Sequence, residues 1–448
     1  MCSVGLTLMK KLLFIGDGPD VPSGFGLATR EILDRVRYEY DTTVLGINHR
    51  GDPGTVDYPV YVASADNEPF GTRRLHELCK IVKPDIIVIQ QDGWNIPGYV
   101  QTLRAKKPNG EYYYPDHAAI PVVAAVAVDG QNFQGAWLDG ISSAIFWTQF
   151  ALEEARKGGY TGAAQVIPLG VHLETYHPVG KQEALHNLGL DVLGDKFIIG
   201  NINRNQPRKR WDLTIKYFAE WVHAYKITNA CLFLHAAPTG DMGVDVRQLT
   251  HYYGVHQMLA FREPEAFAAV SEDVMRDTYN CFDVQVSTTQ GEGFGLTTLE
   301  GMACGVPQIV PNWSALGDWA KRGAWIVPCP TTVVGPPFVN VIGGVPDEKI
   351  FVIALQRMYI DARARENNSK AALECAQQPC FRWNNIGEAW VATLDGVLKP
   401  VQPVAGPMGV IARGLGKHAD GPEDRPVCER SRPKAPFGAM PTEAEVVP

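Results

Sequence analysis

The chain has 448 residues, 45% hydrophobic and 20% charged, with 41 basic against 49 acidic side chains. That length exceeds one ordinary hydrophobic core, so two domains are expected, and the composition is that of a globular rather than a fibrous or low-complexity protein. A formal net charge of −8 excludes coating of nucleic acid through bulk charge, although a local basic patch remains open.

Nine cysteines in so long a chain, with no Cys-x-x-Cys pair, do not make a disulfide scaffold. Cys281 and Cys304 sit in apolar contexts and read as small core residues. A reducing, cytoplasmic setting is expected. No apolar run approaches the length of a membrane span. Lys10-Lys11 before Leu12–Ile15 resembles the start of a secretory leader, but the apolar run is too short and Gly16-Asp17-Gly18 ends it in a turn. Met9 is an alternative start, which would make residues 1–8 an extension.

In chain order, Leu12–Gly16 reads as a buried strand. The turn Pro19–Gly26 follows, then a helix over Leu27–Val36. Thr43–Ile47, Ile86–Gln90 and Val122–Val128 are further buried strands, and Thr72–Ile81 is a covering helix that stops before Lys83-Pro84. Near-continuous apolar runs separated by helices indicate a parallel sheet covered on both faces. The pattern restarts after Pro178. Phe197–Gly200, Ala230–His235, Leu259–Phe261, Val284–Ser287, Gln308–Val310 and Ala324–Val327 are strand candidates. Helices are expected near Trp211–Tyr225, Val244–Tyr253, Glu265–Tyr279 and Leu296–Cys304. Two α/β units in succession predict two doubly wound, Rossmann-like domains facing a central cleft. The expected division is 1–175, 176–380, a helix within 381–399 returning to the first domain, and a Pro/Gly-rich, mostly disordered tail over 400–448.

Residues 291–305 carry the strongest signal: Gly291-Glu292-Gly293-Phe294-Gly295-Leu296 opens a helix, and Glu300 follows about two turns into it. A helix N-terminus offers unpaired N–H groups and partial positive charge, which suits a phosphate. Carboxylates on either side suit sugar hydroxyls. Upstream, Arg204 and Lys209 follow the end of the strand Phe197–Gly200, where a loop can bring both to one diphosphate. The bland alternative is a solvated basic turn, since Arg208 and Arg210 are adjacent. Pro22-Ser23-Gly24-Phe25-Gly26 lies between the first strand and first helix; alone it signals only a turn. Asp129 ends a central strand, where its carboxylate points into the cleft. Three readings stay open for it: a ligand for sugar or acceptor hydroxyls, a general base, or a loop cap. His235 closes its strand and reads equally as a nucleotide contact or a structural histidine. No Asp-x-Asp motif and no metal-ligand spacing of His and Cys is present, so a donor site without a metal is expected.

Together these segments resemble the signature of family 4 glycosyltransferases, which have the GT-B fold. The match extends to Val166–His172 with Tyr176-His177-Pro178, similar to that family's interdomain crossover, and to Phe381–Ile386, similar to its closing segment. The family usually has Asp where this chain has His172. The resemblance implies Arg204 and Lys209 on the diphosphate of a UDP- or GDP-type sugar donor, with no other cofactor. Glu300 falls on the ribose and Glu292 on the transferred sugar. Backbone N–H groups of Phe294, Gly295 and Leu296 meet the phosphates, and the first-domain loop with Gly24 and Gly26 lies against either the diphosphate or the acceptor. It also implies retention of anomeric configuration. The acceptor stays open among a glycan, a small molecule, a lipid-linked sugar and a hydroxylated DNA base. Tyr112, Tyr113 and Tyr114 with nearby lysines form either a stacking surface for it or a loop packed on itself. A GT-B nucleotide-sugar epimerase and a non-catalytic sugar-binding scaffold are the rival readings.

Overall fold

The computed structural model describes residues 9–51, 56–239, 241–262, 270–336 and 339–399. The first sheet contains β1 (Lys10–Asp17), β2 (Tyr40–Ile47), β3 (Val60–Val62), β4 (Ile86–Asp92), β5 (Val122–Ala127), β6 (Ser143–Phe146) and β7 (Ala164–Val166). Its order is β3-β2-β1-β4-β5-β6-β7, parallel throughout. Helices α1 (Gly24–Val36), α2 (Leu75–Val82), α3 (Ile96–Leu103), α4 (Pro115–Ala118) and α5 (Gln149–Lys157) belong to this half. In β1, Leu12 and Phe14 face one core while Leu13 and Ile15 face another. The two-residue period therefore sends alternate apolar side chains to opposite, equally dry faces.

The second sheet contains β8 (Phe197–Ile202), β9 (Ala230–His235), β10 (Leu259–Arg262), β11 (Val284–Val286), β12 (Gln308–Pro311) and β13 (Trp325–Val327). Its order is β10-β9-β8-β11-β12-β13, again parallel. Helices α6 (Lys181–Asn187), α7 (Trp211–Tyr225), α8 (Val246–Tyr252), α9 (Glu272–Asn280), α10 (Leu296–Ala303), α11 (Ser314–Asp318), α12 (Glu348–Ile360) and α13 (Ala362–Ala376) complete it. An antiparallel hairpin, β14 (Thr331–Gly335) and β15 (Val341–Val345), stands apart from both sheets. The doubly wound character of both halves agrees with the sequence reading.

The direction of winding reverses between β1 and β4 in the first sheet and between β8 and β11 in the second. Such reversals open a crevice at the carboxyl ends of the strands, where ligands of open α/β sheets bind. The chain leaves the first sheet at β7 and returns through α14 (Trp383–Leu398). Val171 N–H donates to Phe381 C=O at 3.0 Å, so the outgoing and returning segments are tied together. Helix α14 lies along α1 closely enough that a Cβ at Gly387 would meet the Arg35 Cβ at 2.6 Å. Around the cleft the halves also touch directly. Asp318 accepts from Phe150 N–H at 3.0 Å, and Gln131 exchanges two 3.0 Å backbone hydrogen bonds with Ile342.

Several local expectations need correction. Gly24 to Gly26 form the first turn of α1 rather than a loop before it, because Ser23 Oγ caps the helix by accepting Gly26 N–H at 2.9 Å. The helix expected over Thr72–Ile81 is a 3-10 turn, Thr72–Arg74, followed by α2, which ends at Lys83 in the left-handed region before Pro84. Helix α9 starts at Glu272, capped by Ser271, and residues 265–269 of the helix expected over Glu265–Tyr279 lie outside the described residues. The short strands β3, β6 and β7, and the charged helix α5, carry too little apolar periodicity to be read. The tail 400–448 lies outside the described residues.

Trp390 is 1% exposed in the α1–α14 seam, its ring 6.4 Å from that of Phe14. Trp390→Ala should cost about 3–5 kcal/mol, the usual range for emptying a buried tryptophan site. Urea unfolding followed by circular dichroism would check this, and an unchanged midpoint would show the seam to be dispensable.

Candidate functional site

The two winding reversals face each other, and their loops supply the site. After β8 the chain makes a 3-10 turn, Pro207–Lys209, and Arg210 adopts φ 53° before α7. This turn is sewn to the loop after β11. Thr288 Oγ1 donates to Arg210 C=O (2.8 Å), Gln290 N–H donates to Arg208 C=O (2.8 Å), and Thr289 Oγ1 lies within hydrogen-bonding distance of Arg208 C=O (3.3 Å). Neither threonine was singled out in the sequence, because their roles depend on pairing across 80 residues of chain.

Lys209 Nζ meets Glu292 Oε1 at 2.5 Å, with both side chains nearly buried. Arg208 donates to the other carboxylate oxygen at 3.2 Å and to Gly291 C=O at 2.9 Å. Its Nε also lies 3.8 Å from Asp129 Oδ2, across the cleft. Burial alone would raise the Glu292 pKa, but Lys209 and Arg208 outweigh it and hold the carboxyl below its ordinary value. Burial, reinforced by Arg208, pulls Lys209 down to about 8 despite Glu292. Burial raises Asp129, with Arg208 opposing. Arg208 was set aside in the sequence as part of a basic turn, yet it bridges Asp129 and Glu292. The usable signal was its place between two candidate residues in a turn closed by Pro207.

Arg204 does not join Lys209 on Glu292. It forms a two-pronged pair with Asp241, both bonds 2.8 Å. Its charge also acts on Asp17, at the end of β1. The two cations of the sequence motif are thus held by different carboxylates. His235 is buried at the end of β9, in register with Ile202, beside this loop.

Gly295, at φ 96°, precedes α10 and accepts the N–H groups of Thr298 and Leu299. The first N–H groups of a helix have no intrahelical acceptor, so Leu296 and its neighbours present donors to the cleft. Phe294 is 3% exposed, its ring stacked on Trp319 and its carbonyl accepting Trp319 Nε1–H at 2.8 Å. The phenyl ring therefore anchors the loop, and only the backbone faces outward. Ser314, itself at φ 48°, accepts Glu292 N–H at 2.9 Å. From the first domain, a Cβ at Gly24 would lie 3.5 Å from Leu296 Cδ1, so the α1 start and the α10 start oppose each other. Gly26 N–H is consumed by the Ser23 cap, which leaves Gly24 as the open position.

Glu300 is the fifth residue of α10, little more than one turn in and not two. Tyr279 Oη–H donates to it at 2.5 Å, and burial lifts its pKa to about 7. The two glutamates therefore differ in character, one held ionised by cations and one poised near neutrality. His172 pairs with Glu31 of α1 at 2.8 Å rather than with the cleft loops. The tyrosine stretch lies away from the site. It follows α3 and precedes β5, so topology places it at the amino edge of the sheet, where Tyr114 stacks on His117 and packs tilted against His76. Among the described residues, no three of His, Cys, Asp and Glu form a metal-holding group, and no helix is long and apolar enough to cross a membrane.

Comparison with known proteins fits this architecture. Residues 189–389 match a family described as Family 4 Glycosyltransferase in conflict systems. D-inositol 3-phosphate glycosyltransferases are similar in sequence: that of Rhodococcus opacus is 26% identical over 162 residues, and that of Geodermatophilus obscurus 30% over 163. These matches cover 35% of this chain, and the chain spans about a third (34% and 35%) of the length of those relatives. Among solved structures, sucrose-phosphate synthase from Thermosynechococcus elongatus superposes with TM-score 0.68 at 16% identity, over 87% of this chain and 99% of that one. Anabaena HepE, in complex with UDP and glucose, superposes with TM-score 0.65 at 16% identity, over 86% and 99%. The chain has the GT-B fold, and its residues 189–389 are similar to family 4 glycosyltransferases.

The raised Glu300 pKa has a consequence for stability. The folded protein holds this proton above pH 4.5, where the unfolded chain releases it, so Glu300 costs stability increasingly as pH rises from 4.5 toward 7. Glu300→Gln should therefore be more stable than the parent at pH 8, by about 2 kcal/mol, and lose that advantage near pH 4.5. Thermal melts at both pH values would test this, and a variant equally destabilised at both would refute it.

Proposed function

We propose that the protein is a glycosyltransferase that moves a sugar from a nucleotide-diphosphate donor to an acceptor hydroxyl, with retention of anomeric configuration and without a metal. One observation carries this reading: Lys209 and Arg208 hold Glu292 beside the α10 N-terminus, opposite Gly24 of the first domain. A diphosphate leaving group gains charge as the glycosidic bond breaks. Fixed cations and N–H donors stabilise that charge more in the transition state than before it. Arg204, Lys209 and the backbone of Phe294, Gly295 and Leu296 are assigned to the diphosphate, Glu300 to the ribose and Glu292 to the sugar. His235 borders the nucleotide. Support comes from the names of the relatives and from the UDP and glucose bound in a protein of this fold.

In the proposed step the bond from the anomeric carbon to the phosphate oxygen breaks, and its electron pair leaves with the diphosphate. The acceptor oxygen bonds to the same face of that carbon, and its proton passes to a leaving phosphate oxygen. Asp129 orients hydroxyls rather than serving as an obligatory base. A cytoplasmic setting accords with the seven free cysteines among the described residues.

Titration with UDP-, GDP- and ADP-sugars, with and without EDTA, tests the donor; loss of all binding on chelation would defeat the metal-free account. Arg204→Ala and Lys209→Ala should each weaken diphosphate binding by about 1.5–3 kcal/mol, as for charged hydrogen bonds. Because Lys209 is cationic only below about 8, nucleotide affinity should fall as pH rises through that value, and Lys209→Ala should abolish the fall.

Glu292→Gln should impair transfer more than nucleotide binding, and Glu300→Gln should mainly weaken nucleoside binding. NMR of the product's anomeric centre decides the stereochemistry. Inversion together with an inactive, folded Asp129→Asn would make Asp129 the base instead.

A further inference from the structure

The three central strands of the first sheet all end on the same dipeptide. Asp17-Gly18 closes β1, Asp92-Gly93 closes β4, and Asp129-Gly130 follows β5. Register places them at the same end of the sheet, staggered by one to two residues from strand to strand: Ile15 pairs with Ile89, and Asp92 pairs with Ala127. Asp17 and Asp92 therefore flank the winding reversal between β1 and β4, the crevice that faces the donor loops.

The three carboxylates are not equivalent. Asp17 is occupied within its own domain, accepting from Ser23 Oγ at 2.6 Å and Asn48 Nδ2 at 3.1 Å, and so shapes the α1 start. Asp129 faces Arg208. Asp92 precedes the 3-10 turn Gly93–Asn95 but does not cap it, and no hydrogen bond or ion pair involves its carboxylate among the described residues. The charged groups that act on it are Asp129, Arg208 and Asp17, and burial with the two carboxylates lifts its pKa to about 7. The nearby cations are already matched, Arg204 by Asp241 and Arg208 by Glu292 with Asp129.

We propose that Asp92 is the acceptor-binding residue of the first domain, and that it selects a hydroxyl-bearing acceptor with no phosphate or other anionic group. The proposal rests on the glycosyltransferase reading and deepens it by naming the acceptor class. An unpartnered carboxylate at the mouth of the crevice accepts hydrogen bonds from hydroxyl or ammonium groups and repels a phosphate. Three aspartates on one wall leave a phosphorylated acceptor without a counter-charge there. This chain should then differ from relatives named for inositol 3-phosphate.

The test uses the full chain saturated with UDP and matched probes: myo-inositol against inositol 3-phosphate, and fructose against fructose 6-phosphate. Binding is read by ligand-observed NMR, and transfer from UDP-glucose by mass spectrometry. The uncharged member of each pair should be preferred by about tenfold or more, the scale of one charged hydrogen bond gained or lost. Asp92→Asn should weaken the uncharged probes by a similar factor while UDP affinity stays at the parent value. Asp92→Lys should shift the preference toward the phosphorylated members, an outcome that a merely structural role for Asp92 would not produce.

Preference of the parent for the phosphorylated members would overturn the proposal, as would an Asp92→Asn protein that binds every probe as the parent does. Failure of the parent to bind any nucleotide would instead remove the underlying donor reading, so the two failures are distinct.

Discussion

The structure turns on the buried contact between Lys209, Arg208 and Glu292. It joins the loop after β8 to the loop after β11, which lie some 80 residues apart in sequence, and through Arg208 it reaches Asp129 in the other domain. Taking such charges out of water costs several kcal/mol per ion, and only close pairing with extra hydrogen bonds repays it. Here the repayment is visible. Glu292 is met by two cations and by the Ser314 hydroxyl at its amide, while Arg208 is met by Glu292 and by the Gly291 carbonyl. An arrangement this expensive persists because the surrounding backbone is locked by Thr288, Thr289 and Gln290.

The same contact explains why glycine recurs in the donor loop. A Cβ at Gly291 would lie 1.6 Å from Asp129 C=O, and one at Gly293 would lie 2.8 Å from Ala127 Cβ. Any side chain at either place would push the two domains apart. The glycines thus serve domain contact as well as the freedom of backbone near a ligand, and Gly295 adds the positive φ that starts α10. The Gln131–Ile342 bridge next to Asp129 closes the same edge, so the carboxylate wall of the first domain and the cationic loops of the second are held in one geometry.

Electrostatics then divides the carboxylates by environment rather than by identity. Glu292 sits among cations and stays ionised, whereas Glu300 accepts from a tyrosine hydroxyl and burial raises its pKa to about 7. Among the described residues, Asp17, Asp92 and Asp129 lie at strand ends yet meet a hydroxyl with an amide, no partner, and an arginine respectively. Identical residues in identical sequence contexts acquire different chemistry because their neighbours come from other parts of the chain.

The sequence by itself determined the layered architecture. Apolar runs such as Leu12–Ile15 and Ala230–Leu234 are buried on both faces in a covered parallel sheet, and the Gly-rich run before Leu296 reads as a turn that opens a helix. It also marked Arg204, Lys209, Glu292 and Glu300 as a set, through spacing and family resemblance. Short strands such as β6 and β7 escaped because three or four residues carry no period, and α5 because charge masks its buried face. Only the tertiary structure decided which charges meet. It gave Arg204 to Asp241, brought Arg208 into the site, turned His172 toward Glu31, and left Asp92 without a partner among the described residues. Pairing of ions depends on distances of a few ångströms between loops remote in sequence, and neither residue type nor local spacing encodes those distances.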